Sequence, residues 1–147
     1  MQIKTTPPVN VLYFTTTTTL KELGQYVFSV AKKLYAEAAR QDLLPSGPIH
    51  WLYYNCNGIP DDPFTLEIAL PVLTAPSESS EFLFKELPSF HSISYLYNGP
   101  WDKLPAAYNE IFTWGRSNGH SLTENFREVY LFINNNYQLT EINVGIK

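Results

Sequence analysis

The stretch that decides the fold runs from Asn98 to Phe132 and reads NGPWDKLPAAYNEIFTWGRSNGHSLTENFREVYLF. It predicts a turn, an amphipathic helix that Asn118-Gly119 ends, and then a strand. Glu128 lies among apolar neighbours in that strand, and a buried carboxylate costs free energy unless a partner satisfies it. We therefore expect Glu128 to be central to whatever this chain does.

The composition favours one globular domain, because 147 residues with 44% hydrophobic and 16% charged residues can form a core. The net charge of −4 disfavours direct binding of nucleic acid and suits a cationic partner. No apolar run approaches the roughly 20 residues of a membrane span, and no signal peptide is recognised, so we expect a cytoplasmic protein without membrane contact. Cys56 is the only cysteine and the three histidines are scattered, so we expect no metal and no cofactor.

The same pattern of elements occurs twice along the chain. The first half has a strand at Val9–Thr17, a helix from the capping-box sequence Thr19-Leu20-Lys21-Glu22 to Asp42, and strands at Ile49–Asn55 and Phe64–Val72. The second half has a strand at Phe90–Tyr97, a helix capped by Asp102, and strands at Asn125–Ile133 and Leu139–Ile146 joined by a turn at Asn134–Asn136.

This repeat predicts an α+β fold of duplicated β-α-β-β units related by a pseudo-two-fold axis. We expect antiparallel sheets with helices on one face and a ligand groove between the halves. A single domain then covers residues 1–147, with the first unit at 9–73, a linker at 74–81 and the second unit at 82–147.

Strand alternation predicts which side chains share a face. We expect Val129 and Leu131 to lie beneath the second helix. The opposite face is then aromatic with one acid and, with the equivalent residues of the first half, carries Trp51, Tyr53, Phe126, Glu128, Tyr130 and Phe132. Glu67 and Glu141 also occupy equivalent strand positions, which indicates a shared structural role.

A structural ion pair of Glu128 with Arg127, Arg116 or a lysine is the alternative to a functional role. Arg127 is adjacent in the strand, so its side chain points to the opposite face and is a poor partner. In the absence of a ligand, we expect burial to raise the pKa of Glu128 and tyrosine hydroxyls to satisfy its carboxylate.

Several motifs in order make the chain similar to the GyrI-like small-molecule-binding family. They are Gly99-Pro100-Trp101-Asp102-Lys103-Leu104-Pro105-Ala106-Ala107-Tyr108, Trp114, Asn118-Gly119, Arg127-Glu128-Val129-Tyr130-Leu131 and Thr140-Glu141-Ile142. Tyr97 stands where the family pattern has histidine, and Trp101 stands where it has tyrosine.

The resemblance implies an SHS2-like repeat, as in the effector-binding domains of bacterial AraC-type and MerR-type multidrug-responsive transcription regulators. It also implies that the acid matching Glu128 binds lipophilic cations between aromatic walls. Only eight residues precede Val9, too few for a helix-turn-helix, so we expect a stand-alone form that sequesters its ligand or signals through a protein partner.

The first hypothesis is therefore a binding protein, rather than an enzyme, for a small lipophilic molecule that is cationic or aromatic. The candidate ligand-binding residues are Glu128, Trp101, Trp51, Tyr53, Tyr97, Tyr108 and Tyr130. A second hypothesis, which the resemblance suggests, is a hydrolase of cyclopropane-type electrophiles in which Glu128 is the general base; apart from that role we assign no catalytic residue. A third is a protein-interaction module of the gyrase-inhibitor type.

Overall fold

The computed structural model describes residues 1–134 and 138–147, which form one antiparallel eight-stranded sheet and two α-helices. The elements are β1 Gln2–Thr6, β2 Val9–Thr18, α1 Ser29–Arg40, β3 His50–Tyr54, β4 Phe64–Pro71, β5 Leu83–Leu87, β6 Phe90–Gly99, α2 Leu104–Ser117, β7 Leu122–Ile133 and β8 Gln138–Ile146. Short 3₁₀ helices at Leu20–Tyr26 and Trp101–Lys103 precede α1 and α2. The predicted α+β fold of duplicated units is confirmed. Asn135 and Asn136 of the expected turn lie outside the described residues.

The strand order is β1-β6-β8-β7-β3-β4-β2-β5. Read in reverse, the order places each strand where its equivalent from the other half of the chain stood. The central pair, β3 and β7, joins the halves into one sheet. In its register Trp51 lies opposite Glu128 and Leu52 lies opposite Arg127. The pseudo-two-fold axis therefore passes beside Trp51 and Glu128, which are equivalent positions of the two units.

The two edge strands, β1 and β5, were not predicted from the sequence, and each belongs to the other half's part of the sheet. β1 pairs with β6, and β5 pairs with β2. Their segments, QIKTT and LFKEL, are short and partly polar, as is common for edge strands. The division of the chain into residues 9–73 and 82–147 stays a prediction, and β1 lies before the first of these units.

An equivalent ion pair fixes each edge strand. The Nζ of Lys4 in β1 lies 2.5 Å from Oε1 of Glu141, and the Nζ of Lys85 in β5 lies 2.6 Å from Oε1 of Glu67. Lys85 also lies over the ring of Tyr13, 4.3 Å from its centroid. Glu67 and Glu141 thus have the same structural role in the two halves.

The sheet is strongly curled. Only Pro7 and Pro8 separate β1 from β2, although these strands are first and seventh in the strand order. Three Cα steps span at most about 11 Å, whereas six strand spacings in a flat sheet would span about 29 Å. Curling buries the helix-free face, where Val11, Leu52 and Ala69 are fully inaccessible to solvent.

The helices pack on the face of the sheet that carries Glu128, which corrects the predicted assignment of faces. The α2 residue Tyr108 contacts Glu128, while Leu131, expected beneath the helix, is 45% exposed. The prediction of which β7 residues share a face was right, but a period of two does not determine the face against which the helices pack. On the opposite face, Arg127 points into the curl and donates to the Pro88 carbonyl oxygen.

Equivalent small and aliphatic side chains attach the two helices to the sheet. Val30, Leu34 and Ala38 are the buried residues of α1, and Ala107, Ile111 and Gly115 are those of α2. Both triplets follow the i, i+4, i+8 spacing of one helical face. Neither helix, nor any other helix of the described residues, is long and apolar enough to cross a bilayer.

The expected start of the first helix is wrong. Thr19 makes no capping hydrogen bond, and the chain forms a 3₁₀ helix that ends where the Val27 N–H bonds to the Gly24 carbonyl. Phe28 then adopts φ 64° and ψ −36°, and Ser29 N–H donates to the Val27 carbonyl at 2.8 Å, which makes a γ-turn of the strained kind. Only after this turn does α1 begin. Asp102 likewise lies in a 3₁₀ helix, and α2 begins two residues later at Leu104.

Lys85→Met should lower the free energy of unfolding by about 1–3 kcal/mol, because it leaves the buried Glu67 carboxylate without its ammonium partner. Urea denaturation measures the loss. Adding Glu67→Leu should recover most of it, since the double variant has no uncompensated acid. If Lys85→Met alone is neutral, this ion pair does not hold β5.

Candidate ligand-binding site

Glu128 lies in the middle of β7 and is only 2% exposed. Its carboxylate accepts hydrogen bonds from three tyrosine hydroxyls. Tyr53 and Tyr130 donate to Oε1 at 2.8 and 2.5 Å, and Tyr108 donates to Oε2 at 2.6 Å. The donors come from β3, β7 and α2, so strands of both units and one helix meet at this carboxylate.

The carboxylate is satisfied by neutral donors alone. Within residues 1–134 and 138–147, no lysine, arginine or histidine forms an ion pair with Glu128. The guanidinium of the adjacent Arg127 lies on the opposite face, 4.3 Å from the Phe90 ring centroid. The structural ion pair that competed with a functional role is therefore absent from the described part of the chain.

Burial raises the pKa of Glu128 above its ordinary value of 4.5, and the three tyrosine hydrogen bonds oppose that rise. Burial also raises the pKa of Tyr53, Tyr108 and Tyr130 well above 10, and the nearby carboxylate adds to this effect. The phenols therefore remain protonated donors at neutral pH. They stabilise the carboxylate without neutralising its charge.

Glu128 lines a cavity of about 590 Å³, which we call the acidic cavity. Leu20, Leu23 and Tyr53 of the first half line one side of it, and Trp101 and Tyr108 of the second half line the other. The predicted groove between the halves is thus present. The remaining lining residues are Cys56, Asn57, Gly58, Leu104, Pro105, Asn109, Phe112, Arg116, Leu122, Thr123, Glu124 and Phe126.

The walls of the acidic cavity are mainly apolar. Tyr108 and Phe112 pack edge-on and tilted against Phe126, with centroids 5.4 and 6.0 Å from it. The indole Nε1 of Trp101 is buried and has no acceptor among the described residues. Such walls offer flat surfaces for a hydrophobic ligand.

A smaller cavity of about 200 Å³, which we call the neutral cavity, adjoins the first. Trp101 lines both cavities. Trp51 and Tyr130 line the neutral cavity, and their rings meet edge to face with centroids 5.9 Å apart. Tyr130 also donates to Glu128, so it connects the neutral cavity to the acid.

The predicted site residues thus divide into four groups. Glu128, Tyr53 and Tyr108 line the acidic cavity, Trp51 and Tyr130 line the neutral one, and Trp101 lines both. Tyr97 lines neither cavity; its hydroxyl donates to the Pro100 carbonyl at 2.5 Å and braces the turn before α2. Its selection rested on matching a family motif, which did not indicate the direction of the side chain.

Sequence reasoning missed several apolar residues of the two cavities. Phe112 follows Tyr108 at helical spacing and could have been found from that pattern. Leu20 and Leu23 belong to a 3₁₀ helix that was predicted as regular helix. Phe28 stacks on Trp101 with centroids 5.7 Å apart, but no sequence signal announces its γ-turn.

The GyrI-like small molecule binding domain family matches the chain over residues 1–147. The chain belongs to this family. The description of this family makes the chain a small-molecule-binding domain. A comparison with curated proteins finds no match.

Solved structures share the fold of this GyrI-like domain at low sequence identity. The EcmrR–DNA complex is 20% identical with a TM-score of 0.78, covering 99% of this chain and 56% of the EcmrR chain. SAV2435 bound to tetraphenylphosphonium is 16% identical with a TM-score of 0.65, covering 99% of this chain and 93% of that one. A hydrolase encoded by lin2189 from Listeria innocua is 12% identical with a TM-score of 0.66, covering 99% and 91%.

No cluster of His, Cys, Asp and Glu among the described residues could hold a metal ion. Cys56 lines the acidic cavity, and burial raises the pKa of its thiol, so the protonated thiol predominates at neutral pH. The chemistry of the site therefore rests on Glu128 and the tyrosines that donate to it.

Tyr108→Phe should raise the pKa of Glu128 further, because it removes a hydrogen bond that favours the ionised carboxylate. Carboxyl ¹³C NMR titration measures this shift. Tyr95→Phe is the matched control, since its hydroxyl interacts with Glu110 instead. An unchanged Glu128 titration in Tyr108→Phe would show that this hydrogen bond does not form in solution.

Proposed function

We propose that this domain binds a lipophilic cation with aromatic groups, and that Glu128 supplies the charge that selects it. The observation that carries this proposal is a 2%-exposed carboxylate with no cationic partner in the described structure, on the wall of an aromatic cavity. A carboxylate has about four acceptor sites, so its three donors leave about one free, on Oε2. A cation without N–H groups can approach this charge without competing for the tyrosine hydrogen bonds.

Electrostatics favours such a ligand. A unit charge about 4 Å from the carboxylate gains roughly 4 kcal/mol at an effective dielectric constant near 20. Aromatic faces add about 0.5–2 kcal/mol each when they lie against the cation. A lipophilic cation with delocalised charge loses little hydration on entry, so more of this attraction remains as binding free energy.

The fold relatives support the same class of ligand. SAV2435 binds tetraphenylphosphonium, a large aromatic cation, and EcmrR forms a DNA complex through a chain of which this domain spans about half. We therefore propose sensing or sequestration of such molecules as the role of the domain. Output to a protein partner is part of that proposal.

Glu128→Gln should weaken binding of tetraphenylphosphonium by an order of magnitude or more, since it removes the charge but keeps the shape. Calorimetry or quenching of tryptophan fluorescence measures the Kd. Triphenylphosphine oxide, which is uncharged, is the control ligand, and its affinity should change little. Equal cation affinity in both proteins would contradict the role of Glu128.

Cation affinity should fall as the pH is lowered through the pKa of ligand-free Glu128, which burial places above 4.5. A protonated Glu128 has no charge to offer, and linkage predicts about a tenfold loss per pH unit below that pKa. Above it, affinity should be constant. Calorimetry between pH 4 and 8 measures the profile, and Glu128→Gln should abolish this dependence.

Hydrolysis of a cyclopropane-type electrophile is the second candidate function. The Glu128 carboxylate, whose pKa is raised, could take a proton from water as the water oxygen bonds to a ring carbon and a ring C–C bond breaks. A tyrosine hydroxyl 2.5–2.8 Å from the carboxylate could protonate the carbon released, and the protonated Glu128 then returns its proton to that phenolate. Turnover by the parent protein that disappears in Glu128→Gln would support this function. Saturable binding without turnover would favour the binding protein.

A further inference from the structure

The neutral cavity occupies the same place in the first unit that the acidic cavity occupies in the second. On the helices, Ala31 and Tyr35 line the neutral cavity, and the residues 77 positions later, Tyr108 and Phe112, line the acidic one. The buried residues of α1 and α2 follow the same offset, as Leu34 and Ile111 show.

The strands obey the same correspondence. Ile49 and Trp51 line the neutral cavity where Phe126 and Glu128 line the acidic one, again 77 positions apart. The pseudo-two-fold axis also exchanges Tyr130 with Tyr53. The molecule therefore contains two related cavities, formed by equivalent elements of the repeat.

Two differences between equivalent residues change the chemistry of the neutral cavity. Trp51 replaces the acid at the base of the neutral cavity, and Ala31 replaces the tyrosine that would have donated to that acid. The described residues that line the neutral cavity carry no charge. Ala31 also leaves open the space that the Tyr108 ring fills in the other unit.

Size and shape indicate the kind of ligand. A dry, apolar cavity of about 150 Å³ is known to hold benzene, and the neutral cavity measures about 200 Å³. Trp51, Tyr130 and Trp101 provide aromatic walls. At the rim, Phe28 is 59% exposed and is held against Trp101 by its positive-φ turn.

We propose that the neutral cavity is a second ligand site, which takes an uncharged single aromatic ring. Its occupant needs no contact with Glu128, so this proposal stands apart from cation binding. Because Trp101 lines both cavities, an elongated molecule could place its cationic end at Glu128 and an uncharged ring beside Trp51.

Bromobenzene, titrated into protein with ¹³C-labelled Ile and Leu methyl groups, tests the proposal by NMR. Ile49 and Ile133 line only the neutral cavity, and Leu20 and Leu23 line only the acidic one. We expect saturable shifts of the two isoleucine methyl signals. No saturable shift, or shifts confined to the leucines, would overturn the proposal.

Two variants separate the sites. Ala31→Phe should fill the neutral cavity and weaken bromobenzene binding about tenfold or more, while Glu128→Gln should change it less than about twofold. The equivalent position in α2 carries Tyr108, so the helix accommodates an aromatic side chain there. Ala36→Phe, on the exposed face of α1, is the matched control and should bind bromobenzene as the parent does.

If Ala31→Phe does not fold, Ala31→Leu replaces it in the bromobenzene titration. Crystals of the parent protein soaked in bromobenzene provide an independent test. Anomalous scattering locates bromine directly, and bromine beside Trp51 supports the proposal, whereas bromine only beside Glu128 refutes it. Retained bromobenzene affinity in a folded Ala31→Phe also refutes it. Tetraphenylphosphonium binding is measured in a separate titration, so the proposal for one cavity can be refuted while the proposal for the other stands.

Discussion

The pairing of β3 with β7 is the interaction on which the site depends. These two strands join the halves of the molecule, and their register sets Trp51 directly opposite Glu128. The same pairing places Tyr53 of one half and Tyr130 of the other on one carboxylate oxygen. A shift by one residue would turn all of these side chains to the other face of the sheet, so register and site are set together.

The duplication also explains why a tryptophan, Trp51, and not a second acid lies opposite Glu128. Side chains directly opposite in adjacent antiparallel strands lie about 5 Å apart, so a symmetrical pair of carboxylates here would repel in a buried environment. Trp51 avoids that repulsion and makes one cavity neutral. The repeat thus supplies the same architecture twice, while two positions in each unit decide the chemistry of each cavity.

Exchange of the edge strands stabilises this arrangement. β1 and β5 each extend the other half's part of the sheet, and their lysines pair with Glu141 and Glu67. The short links between strands then require the sheet to curl, which buries the face opposite the helices. Arg127 is buried on that face, because strand alternation turns its side chain away from its neighbour Glu128 and so away from the ligand site.

Much of this organisation follows from local patterns in the sequence. The period-two strands, the helical spacing in α2 and the turn signal at Asn118-Gly119 predicted the duplicated units, because such patterns reflect nearest-neighbour geometry. The unusual cost of an acid in an apolar strand pointed to Glu128, and its tyrosine partners were expected as a class. The edge strands escaped notice because their stability comes from pairing with distant residues.

The amino-acid sequence by itself determined the elements, their repetition and the position of Glu128, the acid that lies among apolar neighbours in β7. Only the tertiary structure decided which face the helices cover, that Tyr53, Tyr108 and Tyr130 converge on Glu128, and that Trp51 belongs to a separate cavity. The physical reason is that alternation along a strand assigns side chains to faces, whereas the neighbours on each face come from long-range pairing and packing. The γ-turn at Phe28 belongs to the same category, since surrounding contacts impose its strained backbone.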